Sequence, residues 1–73
     1  MATRVGDVVQ RDPVTIEASG SIQSAAQLMT TENISSVMVM QEGRLVGLVT
    51  DSDLRRRCIA TGLSVEQPVR DIM

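Results

Sequence analysis

The stretch "GLVTDSDLRRR", residues 47–57, holds two patterns end to end. Gly47, Leu48 and Val49 close an apolar run that begins after Arg44, and Thr50, Asp51 and Asp53 then give way to Leu54 and three consecutive arginines. The first half reads as the end of a strand and the second as the start of a helix, which places the junction at Thr50. Thr50 followed by Asp53 is also capping-box-like, with the hydroxyl serving the first free N–H groups and the acid answering.

Outward from this junction the chain alternates between the two periods. "SSVMVM" (35–40), "QEGR" (41–44) and "RLVGLVT" (44–50) predict a hairpin of strands 36–40 and 44–50 joined by a Gly-containing turn. Neither run alternates cleanly between apolar and polar, so both sheet faces are expected to be covered. Upstream, Ile22, Ala25, Ala26 and Met29 follow the i, i+3, i+4, i+7 spacing of one helical face and predict a helix over 21–32. Ser19 or Ser21 would cap its start, and Asn33 stands where a left-handed residue ends it. "PVTI" after Arg11-Asp12 predicts a brief strand at 14–16. Downstream, Leu54 and Cys58, with Ile59 and Thr61, are expected inward on a second helix that Gly62 ends. The order is β-α-β-β-α: an α+β unit with a small three-stranded sheet and two helices.

Composition narrows the function. A chain of 73 residues is one small domain, and such chains bury only ~60% of the surface their unfolded form exposes. There is no Phe, Tyr or Trp, so the core must come from aliphatic residues and five Met, and no base-stacking platform exists. Cys58 is the single cysteine and there is no His, which removes an internal disulfide and any plausible zinc ligand set. Small domains lacking both usually gain stability by association, here through the sheet face that two helices cannot cover. A net charge of −2 and a pI near 4.8 argue against nucleic acid, the three arginines notwithstanding. No segment approaches the ~20 apolar residues of a membrane span, and a soluble, cytoplasmic protein is expected. The absence of His, of a nucleophile elbow and of a glycine-rich phosphate loop argues against an enzyme.

An internal echo points to repetition. "VGDVV" at 5–9 returns as "VRDIM" at 69–73, an offset of 64 residues that just accommodates the whole β-α-β-β-α unit. The chain reads as one repeat of a tandem pair, with its core at about 5–63 and the start of a second repeat at 64–73.

Taken together, "DVV…DPVTI", "SIQSAAQLM", "ISSVMVM", "GRLVGLVTDSDL" and "PVRDIM" resemble the CBS domain, the family named after cystathionine β-synthase, over nearly the whole chain. The likeness is to repeats of bacterial signalling proteins. In that family two repeats pack through their sheets and leave clefts for AMP, ADP, ATP or S-adenosylmethionine. The resemblance therefore implies a homodimer or a second CBS repeat as partner. It also implies an attached output domain, nucleotidyltransferase-like or cyclic-nucleotide-binding. No cofactor is required, and an adenine nucleotide is the expected ligand.

By the same resemblance, the run from Gly47 to Asp53 corresponds to the family's nucleotide pattern. Asp53 would accept from the ribose hydroxyls and Thr50 would bond the ribose or first phosphate, near N–H groups that favour negative charge. Val9, Val14, Ile34 and Leu48 would line an apolar adenine slot. Arg56 or Arg57 would reach a phosphate, since ~100° steps allow only one or two of the three arginines to face it. Met38 stands where the family commonly has Pro. Local sequence leaves both readings of Thr50 and Asp53 open, cap or ligand site, and the four apolar positions are equally ordinary core residues. Cys58, four residues after Leu54, is most simply a core residue.

Two functions follow as expectations. The first is a non-catalytic regulatory module that dimerises, binds an adenine nucleotide between copies and shifts the population of an attached domain. The alternative is a purely structural dimerisation module with no ligand.

Overall fold

The structure, a computed structural model, describes residues 13–73, so Val9 and the echo segment 5–9 lie outside the described residues. Its elements are β1 (Thr15–Glu17), α1 (Ile22–Glu32), β2 (Ser36–Gln41) and β3 (Arg44–Thr50), in the expected order. A second helical run follows directly, beginning as a short α2 (Asp51–Asp53), widening into a π-helical turn (Leu54–Ile59), and succeeded by a 3₁₀ turn (Val69–Asp71). β1 lies one residue later than its apolar pattern predicts.

β2 occupies the centre of the sheet, parallel to β1 and antiparallel to β3. The hairpin turns on Glu42 and Gly43, both at positive φ (52° and 77°), which is the backbone of a tight turn matched to the right-handed twist of the strands. Pairing slips once. Val39 faces Gly47 and Met40 faces Leu45, leaving Val46 as the extra residue of a β-bulge.

α1 is closed at both ends as its sequence foretells. The Ser21 hydroxyl accepts from the Ser24 N–H at 3.0 Å, and Asn33, left-handed at φ 57°, donates its N–H to the carbonyls of Met29 and Thr30. Ile22, Ala25 and Met29 are buried and form its inward face. In the second run, Cys58 is fully buried and Leu54 packs against the core from the same side. Ile59, expected inward, is instead 67% exposed, because one residue past Cys58 is a turn of about 100° away from that face. Thr61 is also exposed, and its hydroxyl bonds the Arg57 carbonyl at 2.9 Å. The wide turn itself is held by the Ala60 N–H bonding the Arg55 carbonyl, five residues back, at 2.9 Å.

The core lies on one side of the sheet. Val37, Val39 and Val49 point into it and are met by Ile22, Ala25 and Met29 of α1 and by Cys58. It also extends past the expected boundary at residue 63. Val69 and Ile72 are fully buried within the same cluster, and the segment carrying them is laced to the first half of the chain. The Ile22 N–H bonds the Gln67 carbonyl at 2.9 Å and the Val69 N–H bonds the Gly20 carbonyl at 2.8 Å.

Because both helical runs and this final segment stack on one face, the other face is left open by the described residues. Leu45 is 60% and Leu48 49% exposed there, beside half-buried Met38 and Met40. Among the described residues the expectation that both faces are covered is met on one face only. The missing polar alternation marks an apolar surface that the described residues do not bury.

Candidate functional site

β1 and β2 begin, and β3 ends, at the same end of the sheet, so the topology gathers Val14, Ile34 and Thr50 there. Ser36 pairs with Thr50 across the hairpin, and the Asp51 N–H bonds the Ser35 carbonyl at 3.0 Å, which fixes the junction against the start of β2.

At the junction Thr50 is extended (φ −119°, ψ 168°) and caps the helical run. Its hydroxyl oxygen accepts from the Asp53 N–H at 3.2 Å. In return, Asp53 Oδ2 accepts from the Thr50 N–H at 3.0 Å and from the Thr50 hydroxyl at 3.1 Å. The capping reading of these two residues therefore holds. It also commits only one carboxylate oxygen. Oδ1 faces the Arg57 guanidinium, with Nε at 3.7 Å, beyond ordinary hydrogen-bond length. A carboxylate offers about four lone-pair sites over its two oxygens, so Oδ1 keeps acceptor capacity after the cap is made. Asp53 is 23% exposed at its side chain, which leaves it reachable.

The four apolar positions are divided. Val14 and Ile34 pack, partly buried, against the core. Leu48 lies on the open face, opposite Met38, and together with Met38, Leu45, Val46 and Gly47 it lines an open apolar depression of about 450 Å³. Val9 lies outside the described residues. Met38 is a fixed point of the strand, since its N–H bonds the Val14 carbonyl at 3.0 Å, a bond that proline could not make.

Arg55, Arg56 and Arg57 are all exposed. Arg57 leans across its own helical run towards Asp53, and its Nη1 donates to the Met73 backbone oxygen at 3.5 Å. The Met73 contact has no signal in the sequence, because it joins residues 16 positions apart through an exposed arginine. Cys58 is a buried free thiol whose sulfur lies 3.3 Å from the Leu63 carbonyl oxygen, as befits a core residue. Among the described residues no cluster of acids and cysteine is placed to hold a metal ion, and no helix is long and apolar enough to cross a membrane.

The model of the CBS domain family matches residues 5–60. The CBS domain-containing protein YhcV of Bacillus subtilis is 33% identical over 69 residues, which cover 94% of this chain and 49% of YhcV. The arabinose 5-phosphate isomerase KpsF of Escherichia coli is 40% identical over 57 residues, 77% of this chain and 18% of that protein. Among solved structures, the CBS domain protein PAE2072 of Pyrobaculum aerophilum, complexed with AMP, superposes with a TM-score of 0.78 at 22% identity, covering 85% of this chain and 49% of that one. The chain spans half or less of the length of each of these relatives.

Proposed function

The chain belongs to the CBS domain family, and from that premise we propose that it is a non-catalytic regulatory module that pairs through its open sheet face and holds an adenine nucleotide between the paired units. The partner is a second repeat or a second copy. AMP, ADP, ATP and S-adenosylmethionine share the adenosine that the site would grip. Occupancy then shifts the population of an attached output domain, nucleotidyltransferase-like or cyclic-nucleotide-binding, since a ligand that favours one arrangement of the pair raises that arrangement at the expense of the other.

The observation that carries this reading is the division of labour within Asp53. Oδ2 caps the helical run while Oδ1 remains an acceptor at the surface, so the cap and a ribose hydroxyl do not compete for the same oxygen. Thr50 lies beside it, Leu48 and Met38 supply apolar surface, and Val14, Ile34 and Val9 complete the adenine slot in the assembled pair. The AMP held by PAE2072, a protein of the same fold, supports the ligand class. Fusion partners such as the isomerase KpsF support the output role, because there the matching segment is a minor part of a larger enzyme.

One observation favours the alternative, a structural dimerisation module with no ligand: the capping box is complete on its own. Titration calorimetry of AMP and ATP into the wild type and Asp53→Asn separates the two. The Asn side-chain oxygen can still accept from the Thr50 N–H, while the charge and one acceptor are gone. Binding to the wild type and its loss in the folded variant are expected; no binding to the wild type, or equal binding to both, would establish the structural module.

A further inference from the structure

One end of the run from Gly47 to Asp53 meets Met73 directly, and the other reaches it through Arg57. At one end, Met73 lies so close over Gly47 that a Cβ there would stand 2.8 Å from the Met73 sulfur. At the other, Arg57 brings Nε to 3.7 Å from Asp53 Oδ1 and donates from Nη1 to the Met73 backbone oxygen at 3.5 Å. Gly47, Asp53, Arg57 and Met73 thus form a ring, closed through the chain between Gly47 and Asp53. Met73 is anchored in turn, because Ile72 and Val69 before it are fully buried and the Ile72 N–H bonds the Val69 carbonyl at 3.0 Å.

We infer that Arg57 is a positioning residue, not a phosphate contact: it ties the acceptor oxygen of Asp53 to the backbone of Met73 and so couples a ligand at Asp53 to the seating of residues 69–73. The chemistry favours arginine for this task. A guanidinium carries five N–H donors in a rigid planar fork, so one side chain can face a carboxylate with Nε and a backbone oxygen with Nη1 at once. A lysine ammonium, a compact point charge on a flexible stem, has no such fixed pair of directions. A phosphate contact would turn those same donors away from both partners. A ribose hydroxyl donating to Oδ1 instead shares the oxygen that Arg57 faces, so occupancy and the position of the guanidinium are linked, and through the guanidinium the position of Met73.

The inference rests on the nucleotide reading of Asp53, and the test keeps the two apart. Adenosine, AMP and ATP are titrated into the 73-residue wild type, Arg57→Ala and Arg57→Lys, and amide hydrogen exchange is followed at residues 69–73 with and without AMP. The positioning role predicts that Arg57→Ala weakens all three ligands by a similar factor, on the order of 5-fold as is usual for a modest coupling, and that Arg57→Lys does not restore them. It also predicts faster exchange at 69–73 in Arg57→Ala than in the wild type, and slower exchange in the wild type when AMP is added. A phosphate contact would leave adenosine unaffected and weaken only AMP and ATP, which overturns the inference. Should the wild type bind none of the three, the nucleotide reading fails by itself. The tie is then judged by exchange in the unliganded proteins: equal rates in wild type and Arg57→Ala overturn it, and faster rates in the variant uphold it.

Discussion

Thr50 and Asp53 bond to one another in both directions: the Thr50 hydroxyl accepts from the Asp53 N–H at 3.2 Å, and Asp53 Oδ2 accepts from both the N–H and the hydroxyl of Thr50 at 3.0 and 3.1 Å. Loss of an N-cap hydroxyl costs about 1 kcal/mol, so Thr50→Ala is expected to lower the urea midpoint by that equivalent. Thr50→Ser keeps the oxygen and should remain near wild type. Equal destabilisation by both substitutions would show that the Thr50 methyl group, not its hydroxyl, supports the junction.

The final segment is part of this unit's core, which Ile72→Ala tests. Ile72 is fully buried, at 0% relative exposure, and truncating a buried Ile costs about 2–5 kcal/mol. Against a total stability of about 5–15 kcal/mol for a domain, that loss should be plain in thermal or urea unfolding. An unchanged unfolding curve would mean that residues 69–73 are not seated as described.

Met38→Pro should destabilise the sheet. Proline removes the N–H that bonds the Val14 carbonyl at 3.0 Å and leaves that carbonyl unpaired, a cost of about 1–3 kcal/mol. Unfolding measurements check this, and a variant as stable as the wild type would show that the β1–β2 bond contributes nothing net.

Gly47→Ala places a methyl group against the Met73 sulfur, 2.8 Å away. The Met side chain is flexible and can give way, so the expected stability loss is small, about 1 kcal/mol or less. Faster amide exchange at 69–73 should accompany it, whereas unchanged exchange would separate Gly47 from the seating of Met73.

Much of this architecture is legible in the sequence because the deciding signals are local. Ile22, Ala25 and Met29 mark the inward face of α1, Ser21 and Asn33 its ends, and Gly43 the hairpin turn. The capping box of Thr50 and Asp53 is one of the two readings their spacing leaves open, and the structure forms it. What the sequence does not show depends on distant partners. Val69 and Ile72 carry too short a pattern to announce that they complete the core of the preceding residues. Ile59 fails as a core residue because its apolar character says nothing of its angle on a helical run that widens at Leu54. The bulge at Val46 and the Arg57 contact to Met73 are matters of register and reach, which periodicity does not encode.

The exposed sheet face is the proposed pairing surface, and on that proposal the site is completed only when two units share it. The most direct measurement is the sedimentation-equilibrium mass of the 73-residue chain with and without millimolar AMP or ATP. A self-associating chain whose dimer is tightened by a nucleotide is the predicted result. A mass that stays monomeric, or a dimer indifferent to every nucleotide, would contradict a site shared between paired units.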